Sequence, residues 1–188
     1  MADDFPRLVS LACHDLRTPL AAVGGFAKTL LRGQHDDTTR RWLGLIDEAS
    51  EELAGLIDVL SLAARLEGGR YDPVRREVDS LVLARAAKAG ATGTGAPVSV
   101  DVDAVTRALA DFVRAAERHG GVETAVAVDA ERVTVEPVTA EAGPIVLGED
   151  LKELGAAVAV SAMRALGGSV ELEGERLTVT LPPAEVDS

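Results

Sequence analysis

Reactive side chains concentrate in one stretch, Ser10–Leu20, which holds His14, Asp15, Arg17, Thr18 and Pro19. A solvent-facing imidazole titrates near neutrality and offers a neutral nitrogen as nucleophile. The carboxylate of Asp15 can orient the ring, or accept its N–H proton as attack proceeds. Arg17 follows at three residues and Thr18 at four, on the helical face of His14. A guanidinium there can neutralise a phosphoryl group, and the Thr18 hydroxyl can hold a water. Pro19 removes the helical hydrogen bond to the Asp15 carbonyl and bends the helix just past His14. Proline inside a helix costs about 3 kcal/mol, so it is no incidental guest in an apolar-periodic run. A lone histidine would read as a surface residue beside a kink. The whole run His14–Leu20, opening a long amphipathic hairpin, does not.

The element that must carry these residues is a helix over residues 5–32. Phe5, Leu8, Ala12, Leu16, Leu20, Val23, Ala27 and Leu30 recur in steps of three and four, giving one apolar stripe. His14 lies about 200° round the helix from Ala12 in that stripe and is expected to face solvent. Gly33 closes the helix, and residues 34–37 read as a turn. A second helix spans about Thr38 to Leu66, with a stripe through Leu43, Ile46, Ala49, Leu53, Leu56, Leu60 and Ala63, widened by Leu45, Ile57, Val59 and Leu62. Gly68 and Gly69 end it. A hairpin with so wide an apolar face is best buried against a second copy of itself, as a four-helix bundle. Packing on the rest of its own chain is the alternative.

From Tyr71 onward the pattern changes. Short runs at Val98–Val100, Val122–Val128, Val133–Val135, Ser169–Leu172 and Leu177–Leu181 read as strands. Helices are expected near Ser80–Ala89, Ala104–Arg118 and Leu151–Leu166, and residues 90–97 read as a short flexible loop. Together these predict an α+β chain, with an α/β two-layer sandwich after the hairpin. The expected domains are residues 1–69 and 70–188, joined at the turn-rich segment near Gly68 to Pro73.

Composition narrows the partners. A net charge of −12 argues against nucleic acid, whose phosphates need a basic surface. Cys13 is the single cysteine, so no intramolecular disulfide can form. A redox role for it beside His14 is weaker than service as a small apolar residue. His35 reads as solvated in the turn, and three scattered histidines suggest no metal site. Met1 to Pro6 lack a basic n-region and an apolar core, which predicts no signal peptide. No run is long enough for a membrane span. A cytoplasmic protein is expected.

The His14–Leu20 run resembles the H-box of sensor histidine kinases, where His, an acidic residue, Leu, Arg, Thr, Pro and Leu follow in order; all seven match. The likeness extends to Gly25, Phe26 and Ala27 and to Ser61–Gly69. It implies that His14 accepts phosphate, that Asp15 assists, and that Thr18 supports dephosphorylation of a bound partner.

The remainder resembles the ATP-binding domain of the same family, stripped of its nucleotide chemistry. On the helix after the linker the family carries two asparagines four apart, the second holding magnesium. Here those positions fall on Asp111 and Ala115, and a methyl group cannot coordinate magnesium. Arg118 and His119 do match the basic pair that follows. The family's Asp-x-Gly-x-Gly has no counterpart in Val133–Gly143. The glycine pair opening the last helix is reduced to Gly155, with Glu153 in the first place, where a carboxylate would repel a triphosphate. Ala165–Gly174 and Leu177–Pro182 resemble the closing strands.

These observations predict a histidine phosphotransferase of a two-component phosphorelay. His14 would carry a phosphoryl group between receiver-domain aspartates, with Arg17 neutralising it. No cofactor of its own is expected: no bound ATP, and magnesium supplied by the receiver. Expected partners are receiver domains and a second copy of the chain, with no nucleic acid and no membrane. The alternatives are a diverged kinase that autophosphorylates, a non-catalytic pseudokinase regulator, and a receiver phosphatase resting on Thr18.

Overall fold

The computed structural model describes residues 5–184, which divide between Tyr71 and Asp72 into two compact units. Residues 1–4 and 185–188 lie outside the described residues, and with them part of the segment on which the signal-peptide expectation rests.

The first unit is two long antiparallel helices, α1 (Phe5–Leu31) and α2 (Asp37–Glu67). Pro19 sits inside α1 without ending it. Gly33 closes α1 by donating its N–H to the Leu30 carbonyl at 2.9 Å. Asp36 caps α2, accepting the Thr39 N–H at 2.7 Å, and that bond holds its carboxyl below the usual range. The helices meet along a seam to which α1 gives small residues, while the buried residues of α2 include Leu43, Ser50 and Val59. Cys13 and Ala27 are the buried residues of α1, and a Cβ on Gly24 would lie 3.4 Å from that of Ser50. Cys13 thus serves as a small buried residue. Two sets of ion pairs tie the helices across the seam: Arg17 to Asp58 at 2.9 Å, and Lys28 to Glu51 at 2.8 Å and Asp47 at 3.7 Å.

Ala27 and Leu43 of the apolar stripe are buried, but much of the stripe remains uncovered within one chain. Leu16, Val23, Leu30, Leu53 and Leu56 are each between 47% and 53% exposed. His35 departs from expectation: it is half-buried, and its ring nitrogen lies 2.6 Å from the Leu30 carbonyl, at the end of α1. The orphan carbonyls of a helix terminus explain that placement.

The second unit runs β1 (Arg75–Asp79), α3 (Ser80–Ala87), β2 (Thr92–Gly95), β3 (Pro97–Asp101), α4 (Val102–Gly120), β4 (Ala125–Ala130), β5 (Arg132–Glu136), α5 (Gly143–Val146), α6 (Leu154–Leu166), β6 (Ser169–Glu173) and β7 (Arg176–Thr180). β1 and β3 form an antiparallel pair. The main sheet has the order β2-β4-β5-β7-β6, with β2 parallel to β4 and the other neighbours antiparallel. Val126, Val128, Val133, Val135, Leu177 and Val179 alternate inward on one sheet face, the helices supplying Leu109, Phe112, Met163 and Leu166 to the core. This is the α+β architecture expected.

Residues 90–97 are not a flexible loop. They contain β2 and the first residue of β3. Gly93 adopts φ +111°, and a Cβ there would collide with the Val128 carbonyl oxygen. Only glycine allows the parallel strand to approach this closely. Gly93→Ala is therefore expected to cost about 3 kcal/mol or more, read as a lower urea midpoint for the full chain. An unchanged midpoint would contradict the pairing of β2 with β4.

Candidate phosphoacceptor site

Residues seven and eleven positions beyond His14 share its side of α1. Those residues are Ala21 and Gly25. Val23, in the middle of the uncovered apolar stripe, lies about 180° away. One helix therefore presents His14 on one face and an unpartnered apolar surface on the other.

The His14 side chain is 77% exposed, and its Nδ1 lies 3.2 Å from Asp15 Oδ1. A proton on Nδ1, held by that carboxylate, leaves the lone pair on Nε2 for attack. Thr18 is exposed one helical turn further on. Arg17 is placed differently from expectation. Its guanidinium is committed to Asp58 on α2 rather than standing beside the imidazole. Helical spacing located its face correctly, but not its partner across the seam. That partner was detectable in the sequence. With the turn at residues 34–36, antiparallel pairing sets Arg17 opposite Asp58 and Lys28 opposite Asp47 and Glu51. These ion pairs lie in or next to solvent, which screens them, so they contribute little to stability.

Between these ion pairs, α1 and α2 enclose a groove of about 460 Å³. Besides the ion-pairing residues it is lined by Leu20 and by small residues: Ala21, Gly24 and Gly25 from α1, Ser50 and Ala54 from α2. Ala21 and Gly25 continue the line of His14 along the helix.

In the second unit, Ala115 is fully buried in α4. Asp111, one turn earlier, is also buried and accepts a hydrogen bond from Arg114 Nη1 at 2.7 Å. Burial pushes its carboxyl above the usual range, and Arg114 and Arg107 oppose that shift. Glu153, immediately before α6, lies 3.3 Å from Arg118 Nη1 and 3.2 Å from His119 Nε2. The basic pair at the end of α4 is therefore already bound to a carboxylate of the same chain.

Residues 7–69 match the His Kinase A (phospho-acceptor) domain. The chain is histidine-kinase-like. Full-length ShkA, in a crystal structure with AMPPNP, superposes with a TM-score of 0.67 at 21% identity over 97% of this chain. That alignment spans 47% of the ShkA chain, so this chain matches about half the length of that protein. The histidine kinase AdeS of Acinetobacter baumannii superposes with a TM-score of 0.55 at 18% identity, over 92% of this chain and 98% of the other. At these identities the likeness shows the fold: a phospho-acceptor hairpin followed by an α/β domain like that of histidine kinases. No curated protein sequence matches the chain. Among the described residues, no helix is long and apolar enough to cross a membrane.

Proposed function

We propose that this histidine-kinase-like protein is a phosphotransferase of a cytoplasmic phosphorelay. His14 takes a phosphoryl group from the aspartyl phosphate of one receiver domain and passes it to the aspartate of another. The observation that carries this reading is the exposed imidazole whose Nδ1 is held by Asp15. In the forward step Nε2 attacks phosphorus. A P–N bond forms, the P–O bond to the receiver carboxylate breaks, and that carboxylate leaves with the electron pair. The positive charge developing on the ring is balanced by Asp15 at Nδ1. The return step reverses these bonds, since acyl phosphate and phosphoramidate are both energetic. Magnesium comes with the receiver, where it neutralises the transferring group. Arg17 would have to leave Asp58 to help.

The groove beside His14 suits this partner. Its small lining residues let a receiver helix come close on the side that carries the imidazole. The opposite apolar stripe suits a second copy of the chain, giving a four-helix bundle with His14 outward. Transfer is favoured over autophosphorylation by the α/β domain. Ala115 cannot hold magnesium, and Glu153 sits on the basic pair.

Two parallel incubations of the pure full chain test the reading. With labelled ATP and magnesium, no label is expected on His14. With a labelled phospho-receiver, label is expected on His14 within the lifetime of the acyl phosphate. Label from ATP in the absence of any added kinase would overturn ATP-independent transfer. Failure to take label from any phospho-receiver of the same cell would overturn the phosphotransferase reading.

A further inference from the structure

The α4 and α6 ends of the α/β domain bring together the features of an anion site. Arg118 and His119 supply cationic or donor groups from the last turns of α4. α6 points its amino terminus at the same place, and such an end attracts negative charge. Its N-cap residue, Glu153, makes no side-chain hydrogen bond to the first turn. That side chain turns instead to Arg118 and His119, at 3.3 and 3.2 Å. The first turn is met by a different carboxylate. Asp111, only 4% exposed, lies so near Gly155 that a Cβ there would come within 2.9 Å of both its oxygens. Gly155 is thus what allows a buried carboxylate to stand against the α6 backbone. Arg114 holds that carboxylate from its exposed side at 2.7 Å.

We propose that this is an anion site occupied from within, with Glu153 on the basic pair and Asp111 against the first turn of α6 in the places a phosphate chain would take. Two carboxylates fill the space and cancel the positive charge, so a polyphosphate meets repulsion where it would otherwise meet donors. The same contacts fasten α6 to α4 without a ligand. The domain is therefore held in one state that does not respond to nucleotide. This inference rests on the ATP-independent reading above and supplies its physical cause.

The test is to remove both carboxylates, space and charge together. The full chain carrying Asp111→Ala and Glu153→Ala is titrated with inorganic pyrophosphate by calorimetry, beside the unaltered chain. Thermal melting with and without pyrophosphate is read in parallel. The unaltered chain is expected to show no binding at millimolar pyrophosphate. The double variant is expected to bind at least tenfold more tightly, with a melting temperature that rises with pyrophosphate. If the double variant does not fold, Glu153→Ala alone carries the test. It leaves Asp111 in place, frees Arg118 and His119, and is expected to show a smaller gain. A folded variant with no gain overturns the internal occupation and leaves the phosphotransfer reading standing. Pyrophosphate or ATP binding by the unaltered chain overturns the internal occupation, and ATP-derived label on His14 overturns both.

Discussion

Replacing His14 by glutamine is expected to reduce phosphoryl capture from a phosphorylated receiver to background, a loss of about a hundredfold or more. The imidazole is the group proposed to form the bond to phosphorus, so no neighbour can substitute for it. The Asp15 side chain has no nitrogen to offer, and the Arg17 guanidinium is paired with Asp58. The substitution should not disturb the fold. The side chain is 77% exposed on the face opposite the apolar stripe, and its ring is hydrogen-bonded to the neighbouring Asp15 rather than to α2. A surface exchange of this kind changes stability by about 0.5 kcal/mol or less. Unchanged helicity and melting with lost label would therefore place the defect in chemistry. Asp15→Asn should fall between, with transfer reduced by up to about a hundredfold, because the amide can still orient the ring but cannot balance its charge. Label retained at full level by His14→Gln would assign the phosphoryl group to another residue and remove the basis of the proposed function.

The hairpin and its His14 face were legible because period and length reinforce each other. A 3.6-residue repeat sustained over 27 and 31 residues leaves little room for another structure. Other features depend on groups distant in sequence, and there local pattern fails. β2, Thr92–Gly95, reads as part of a flexible loop because glycine alternates with threonine; what makes it a strand is the Val128 backbone lying against Gly93. β1, Arg75–Asp79, is charged at four of its five positions and exposed along most of its length, so it carries no alternating signal. Its register is set by pairing with β3. α5 is too short for periodicity to mark it. At the candidate site the same division holds. Spacing along one helix gave the positions of His14, Asp15 and Thr18, and the hairpin register gives the Arg17–Asp58 pair, whereas the Glu153–Arg118–His119 contacts join residues 35 and 34 positions apart with no pattern to mark them. Glu153 stood out in the sequence as a departure from the resemblance. Only its geometry shows that its carboxylate lies on Arg118 and His119.

The second large effect is expected from the apolar stripe opposite His14. Val23 and Leu53 stand at the same level of the antiparallel hairpin and are 48% and 50% exposed in one chain. In a four-helix bundle of two copies they would fall in the shared core, where each side chain contributes about 1.5–2 kcal/mol by leaving water. Changing both to glutamate removes four such side chains per dimer and puts four carboxylates in their place. The apolar term alone puts the loss near 6–8 kcal/mol, which weakens dimerisation by more than four decades. Sedimentation of the full chain at micromolar concentration should therefore change from dimer to monomer, with a melting temperature that ceases to depend on protein concentration. The readout is independent of the imidazole, because Val23 lies about half a helical turn round α1 from His14. An unaltered chain that sediments as a monomer at these concentrations, or a doubly charged variant that remains dimeric, would mean that something other than a second copy covers the stripe.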